Sequence, residues 1–317
     1  MEPYGACNLG SINIAAFVKD PFGEREDLDW NGLAEAVRLA VRFLDNVIDA
    51  GAPLHALRFH RLASVRSRRM GLGILGMADC FVMLDLTYGS EGSLSFLDRL
   101  MGVIRDTAYE ESIRLAEEKG RFPAFDPVRH LESPYVQRLP ESIRNGIRTK
   151  GLRNCALLAV APTGSISCLA GTSSGIEPIF SLSYLRHVAG HAYRVEHSLG
   201  ARLRVRHGSS TPLPEAFITA HRIDPGARVR LQALVQRYVD QSISSTVNLP
   251  ADTPLRAIEE LYRTAWETGC KGITVFRDGS RASVLELDER EGVYRTETGS
   301  PVGVCTFCEE YPDGTDQ

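Results

Sequence analysis

The chain has no run of about 18 or more apolar residues, which removes a membrane-spanning helix from consideration. Its first residues lack the charged start and apolar core of a secretory signal. Positive charge is not in excess: 36 Lys and Arg stand against 40 Asp and Glu, a formal net charge of -4. No basic field gathers a polyanion, so nucleic-acid binding is excluded as a main function, while a small anionic ligand remains open. Cysteine is too sparse for a disulfide framework. Cys7, Cys80, Cys155, Cys168, Cys270, Cys305 and Cys308 are an odd set of seven spread over 317 residues. That pattern suits reduced thiols in the cytoplasm, with any disulfide transient and catalytic. Internal repeats are also missing. What is present is enough apolar residue, 43%, to bury a substantial core.

Leu33, Ala36, Val37, Ala40, Val41, Leu44, Val47 and Ile48 recur at helical spacing between a cap at Asp29 and Gly51, which predicts an amphipathic helix. Residues Arg68–Leu86 are apolar and carry Gly71, Gly73 and Gly76. They read as a helix start crowded against neighbouring backbone. A long helix is expected from about Leu94 to Glu118, stopping at Gly120. Cys155–Ala161, CALLAVA, is a short continuous apolar run ended by Pro162, the mark of a parallel strand buried on both faces. A further helix is expected with Thr253 as cap and Pro254 at its first position, ending near Gly269, before a strand at Ile273–Phe276. This alternation predicts α/β architecture. From about Leu285 polar residues dominate, which reads as a flexible tail over 285–317 after a domain of 1–284.

The apolar strand followed by Pro162-Thr163-Gly164-Ser165-Ile166-Ser167 would aim backbone N–H groups and hydroxyls at one point, as a phosphate requires. A plain helix cap explains such a turn equally well. Cys305-Thr306-Phe307-Cys308 has the spacing of an exchangeable dithiol. Half of a zinc knuckle and an idle exposed pair compete with that reading, although zinc needs four ligands and no second pair lies nearby. Cys80, Cys155, Cys168 and Cys270 sit in apolar or tight contexts and read as core. His55, His60, His187, His191 and His197 lack metal-ligand spacing with supporting acids, so no metal site is expected. His187 and His191, four apart, could share a helix face in a surface or cap role. Arg66, Arg68 and Arg69 read as a solvated helix start.

The string APTGSISCLAGTSSGIEPIF resembles the substrate-phosphate loop of adenosylcobalamin-dependent, class II ribonucleotide reductases. ACNLGSIN around Cys7, RRMGLGILGMAD, EEKGRFPAFD, QSISSTVNLP and WETGCKGITVFRDGSR follow in the family's order, so the resemblance runs from about residue 1 to 283. It implies the second half of a ten-stranded α/β barrel, a fold made of two parallel five-stranded halves, followed by a flexible tail. It implies that Thr163, Gly164, Ser165, Ile166 and Ser167 bind the substrate phosphates. Cys7 then matches one of the two redox cysteines, and Cys305 with Cys308 the tail dithiol. Class I relatives carry adjacent tyrosines where this chain has Val275 and Phe276, and neither side chain has a phenolic proton to lose. Adenosylcobalamin is the cofactor that follows.

The family's radical-loop signature Asn-Pro-Cys-Gly-Glu does not occur between Met1 and Gln317. The expectation is a reductase component that is inactive without the amino-terminal half on another chain, with thioredoxin or glutaredoxin and a ribonucleotide as further partners. A non-functional gene fragment and a non-catalytic nucleotide-binding module are the alternatives.

Overall fold

A computed structural model describes residues 2–23, 27–179, 183–188, 191–207, 214–280, 286–288 and 293–295. The chain opens with strand β1 (Asn8–Asn13) and helix α1 (Trp30–Gly51). Asp29 caps α1 by accepting from the Gly32 amide, and Leu33, Val37, Val41, Leu44 and Ile48 form its buried stripe. Each such side chain contributes about 1.5–3 kcal/mol relative to exposure. Helix α2 (Arg58–Ser67), strand β2 (Met70–Leu75), and helices α3 (Met77–Met83) and α4 (Glu91–Lys119) follow. Ser90 caps α4, and Gly120 at φ +87° ends it.

The expected helix at 68–86 is therefore a strand, a left-handed Gly76 and a short helix. Close backbone approach, the other half of that expectation, is what the glycines provide. A Cβ on Gly73 would sit 2.2 Å from the Ala159 carbonyl oxygen, closer than any side chain allows. Glycines two apart clear one face of a strand, whereas on a helix they would point in different directions.

Helices α5 (Pro127–Leu131) and α6 (Glu141–Lys150) lead to the extended segment 156–160 and then to α7 (Gly164–Ala170). Strands β3 (Ser183–Val188) and β4 (His191–Glu196) form an antiparallel pair before helices α8 (Ser198–His207) and α9 (Pro225–Gln236). Strand β5 (Thr246–Leu249), helix α10 (Leu255–Glu267) and strand β6 (Thr274–Arg277) complete the main body. Pro254, not Thr253, is the capping residue of α10, and it makes no side-chain cap bond. Proline fixes the φ of the entering residue but brings no acceptor.

One parallel arrangement runs through these pieces. β1 pairs with β2, Leu72 of β2 bridges Leu158, Val160 bridges Ile243, and β5 pairs with β6, all in parallel. Residues 241–245 run directly into β5, so the order across the sheet is β1, β2, 156–160, 241–249, β6. Among the described residues, β1 and β6 have no further partner on their outer sides. Helices α1 and α4 cover one face, where Gly10 lies against Leu44. β7 (Glu286–Asp288) and β8 (Val293–Arg295), within the stretch expected as a tail, pair with each other, and β8 meets β3 at Tyr184–Tyr294. No helix among the described residues is long and apolar enough to cross a membrane.

A buried ionic cluster pins α1 to this sheet. Asp45, with no exposed surface, accepts from Arg68 Nη2 at 2.7 Å, Asn154 Nδ2 at 3.1 Å and Arg153 Nε at 3.2 Å. Burial works to raise its carboxyl, but the hydrogen bonds and charge of Arg68, aided by Arg153, hold it below the usual carboxylate range. Arg68 ends α2 in the left-handed conformation and is buried. It is not the solvated helix start that its charge suggests.

Candidate functional site

The face of the sheet turned away from α1 and α4 is lined by small residues. A Cβ on Gly71 would meet Leu9 Cδ2 at 2.7 Å, Ala159 Cβ at 3.0 Å and Cys7 Sγ at 3.2 Å, so these four residues share that face. Leu9 is 56% exposed there. Cys7, just before β1, stands on this face and is itself half-buried.

Its partner is a carboxamide. Cys7 Sγ lies 3.6 Å from Gln241 Oε1, which also accepts from Arg69 Nη1 at 3.2 Å. Gln241 Nε2 donates to the Met70 carbonyl at 2.6 Å and more distantly to that of Leu158 at 3.4 Å. Burial lifts the Cys7 thiol above its ordinary value, Arg69 pulls it down, and Asp240 adds to the rise.

The second part of the site is the turn after 156–160. Thr163 stands at the cap of α7 with φ +55°, a conformation costly for a β-branched residue. It is held there by its hydroxyl, which accepts from the Gly175 amide at 2.8 Å. Ser167 Oγ donates to the Gly164 carbonyl and shares a 2.7 Å bond with Ser174 Oγ. Thr163 and Ser167 are buried, whereas Ser165 and Ile166 are exposed. The Ser167 amide is the first satisfied along the helix, by the Thr163 carbonyl at 2.9 Å. Helix geometry leaves the amides of Gly164, Ser165 and Ile166 without an intrahelical acceptor. Of the five predicted residues, two use their hydroxyls to shape the turn. Three present amides outward, with the exposed Ser165 hydroxyl beside them.

Residues 171–175 brace this turn and are themselves tied down. The Ser173 amide donates to Asp79 Oδ2 at 2.7 Å, the Gly76 amide to the Ser173 carbonyl at 2.7 Å, and Ser198 Oγ to the Gly171 carbonyl at 2.8 Å. His197 Nε2 lies 4.0 Å from Asp79 Oδ1, and burial holds its imidazole below the usual range against the pull of Asp79. Glu177, in the same motif, accepts from the Thr246 amide at 2.8 Å and pairs with the buried Arg228, tying the loop to β5.

The sequence motifs contain Asp79 and Gln241 without pointing to a role for either, and Arg69 reads there only as part of a solvated helix start. Asp79 had a visible signal, a lone acid inside the apolar stretch GMADCFVML. Cys7 and the turn lie toward opposite ends of the strands, since Asn8 pairs with Met70 and Leu158 bridges Leu72 well before Thr163.

The remaining cysteines divide. Cys80 is buried and Cys155 and Cys270 are half-buried, with Cys155 pushed up to about 11 mainly by burial. Cys168 is exposed on α7, contrary to the core reading, because this short helix packs by Ser167 and leaves Cys168 and Leu169 outward. His187 and His191 lie on β3 and β4, not on a helix face. Among the described residues no group of three or more His, Cys, Asp or Glu could hold a metal ion. Cys305 and Cys308 lie outside the described residues.

Comparison with known proteins covers nearly all of this architecture. The family described as the ribonucleotide reductase barrel domain matches residues 2–276. A protein of Mycobacterium tuberculosis (strain CDC 1551 / Oshkosh) named vitamin B12-dependent ribonucleoside-diphosphate reductase is 38% identical over 88% of this chain and 40% of its own length. One of the same name from Thermoplasma acidophilum is 36% identical over 88% of this chain and 36% of its own. A ribonucleoside-diphosphate reductase subunit alpha from Treponema pallidum is 31% identical over 89% of this chain and 31% of its own. The chain thus spans about two fifths or less of the length of these curated relatives.

Proposed function

Because this chain belongs to the ribonucleotide reductase barrel family, we propose that it is a component of a reductase that converts ribonucleotides to 2′-deoxyribonucleotides. In the overall reaction a ribonucleotide and a dithiol become a deoxyribonucleotide, a disulfide and water. The two electrons and two protons come from the thiols, and the 2′ hydroxyl leaves as the water.

The chain's own residues divide that work. The amides of Gly164, Ser165 and Ile166 converge on the substrate phosphates, with Thr163 and Ser167 holding the turn in shape. Backbone N–H groups at a helix start suit a phosphate because they offer directional donors and the positive end of the helix dipole. Cys7 delivers one of the two reducing equivalents to the sugar. The nucleotide then lies across the small-residue face, its phosphates toward α7. Cys305 and Cys308 serve as the tail dithiol that restores the active-site thiols, and thioredoxin or glutaredoxin restores the tail in turn. The radical cysteine and the second redox cysteine come from the amino-terminal half of the barrel, which the open outer side of β1 is suited to meet.

Adenosylcobalamin supplies the initiating radical when bound, by homolysis of its cobalt–carbon bond. The fit is read at β6, where Val275 and Phe276 are half-buried and offer no phenol to relay an electron from a distant subunit. The names of the M. tuberculosis and T. acidophilum relatives agree with that choice. We place the protein in the cytoplasm, where thioredoxin keeps thiols reduced.

The observation that carries this reading is the setting of Cys7, a half-buried thiol on the small-residue face with a polar partner. Its test is Cys7→Ser in the reductase assembled with the rest of the barrel. Multiple turnover with thioredoxin is expected to disappear. Undiminished steady turnover overturns the role of Cys7.

A further inference from the structure

We propose that Gln241 is the positioning residue of the Cys7 thiol: it fixes Sγ on the inner face of the sheet and favours its protonated form, with Arg69 as the opposing charge. The inference rests on the reading of Cys7 as the reducing thiol and deepens it.

The argument begins with the clamp on Gln241. Both carboxamide protons point to main-chain carbonyls, Met70 on β2 and Leu158 on the neighbouring segment, so the amide cannot turn over without losing both. Oε1 is therefore fixed as the acceptor that faces Cys7 Sγ and Arg69 Nη1. An acceptor oxygen stabilises S–H and repels S⁻, because hydrogen bonding to the neutral form disfavours the charged one. Arg69 acts in the opposite sense, and it reaches the thiol alongside the same oxygen.

The other charged or titratable groups facing this spot are few. Glu2 lies 3.9 Å from Arg69 Nη2, Asp240 adjoins Gln241 in sequence, and Cys155 begins the segment on the far side of β2. Lys271 Nζ donates to the Asp240 carbonyl at 2.5 Å. A thiol that must give up hydrogen together with an electron is best held protonated until the sugar needs it. Gln241 does this without adding a charge to the face that receives the nucleotide.

The test reads thiol protonation directly and needs no turnover. Iodoacetamide alkylation of Cys7 is followed against pH in the full chain by mass spectrometry of the tryptic peptide ending at Lys19. Gln241→Met removes the acceptor and leaves Arg69 facing the sulfur, so the alkylation midpoint falls and the rate near pH 8 rises about threefold to tenfold, half to one pKa unit. Gln241→Glu places a carboxylate there and raises the midpoint, slowing alkylation by a similar factor. Arg69→Gln also raises it, and this variant touches neither of the carbonyl clamps on Gln241. A merely structural role predicts faster alkylation in all three variants, because a loosened face exposes the thiol whatever the sign of the change. Unchanged midpoints, or shifts all in one direction, overturn the inference. Survival of turnover in Cys7→Ser instead overturns the redox reading and leaves the titration result standing.

Discussion

Asp79 and Ser173 bind each other in both directions: the carboxylate accepts from the serine amide at 2.7 Å, and the serine hydroxyl accepts from the aspartate amide at 3.4 Å. The pair joins the first turn of α3 to the segment that braces the turn at Thr163, and both residues are buried.

Cutting that tie should be felt at the turn. Asp79→Ala leaves the buried Ser173 amide without its acceptor, a loss of about 1.5–3 kcal/mol for a hydrogen bond to a charged group. Asp79→Asn keeps an acceptor oxygen and should recover most of it. Chemical denaturation gives the stability, and hydrogen exchange at Ser173 and Gly175 shows whether the brace has opened. Equal protection in Asp79→Ala and the parent protein would contradict the tie.

Ser165→Asp separates folding from binding. A carboxylate in the first turn of a helix is favourable by about 0.3–1 kcal/mol at an exposed position, so thermal stability should hold or rise slightly. The same charge repels a phosphate at the outward amides. Affinity for a ribonucleoside diphosphate, measured by calorimetry in the assembled barrel, should fall about tenfold or more, the equivalent of about 1.4 kcal/mol. Unchanged affinity would remove Ser165 from the phosphate site.

Acid should weaken the junction of α1 with the sheet. Asp45 has its folded-state pKa lowered, so the folded protein binds its proton less readily than the unfolded chain. The stability this provides is fully present above the unfolded value of about 3.9 and is lost as pH falls through the lower folded value. Asp45→Ala should flatten that acid limb in urea melts recorded across the range. At neutral pH it should cost up to about 3–5 kcal/mol, since Arg68 and Arg153 lose their buried carboxylate and keep only the exposed Asp49. Asp45→Asn keeps the shape and should be intermediate.

Two glycines that look alike in sequence should behave differently. Gly73→Ala drives a methyl group into the Ala159 carbonyl and should disrupt the β2 contact with 156–160, at a cost above the about 1–3 kcal/mol of ordinary overpacking. Gly120→Ala has nothing within 4 Å and should cost only the backbone strain of φ +87° and ψ +159°, about 1–3 kcal/mol. Thermal unfolding of the two variants decides the matter, and similar losses would argue against a strand at Met70–Leu75.

Much of this was legible beforehand because it depends on local pattern. The α1 stripe, its Asp29 cap, the end of α4 at Gly120 and the apolar run before Pro162 follow from periodicity, capping chemistry and backbone restriction. The strand at Met70–Leu75 was hidden because a strand buried at every position shows no alternation, and glycine is poor in strands unless a neighbour presses against it. Cys168 misled because its apolar sequence neighbours include Leu169, which is 87% exposed. The long-range ties escaped for a different reason. Gln241 reaches Cys7 across 234 positions, and no local signal encodes a meeting at that distance.

The brace at 171–175 also carries a statement about time. Its ties come from Gly76 and Asp79, from Thr163 and Ser167, and from Ser198, segments that converge only when the strands between them have found their places. Contacts so distant along the chain form late in folding, because loop closure has to come first. The turn therefore takes its working shape at the end of the process, and the onset of phosphate binding during refolding would mark the moment the molecule is finished.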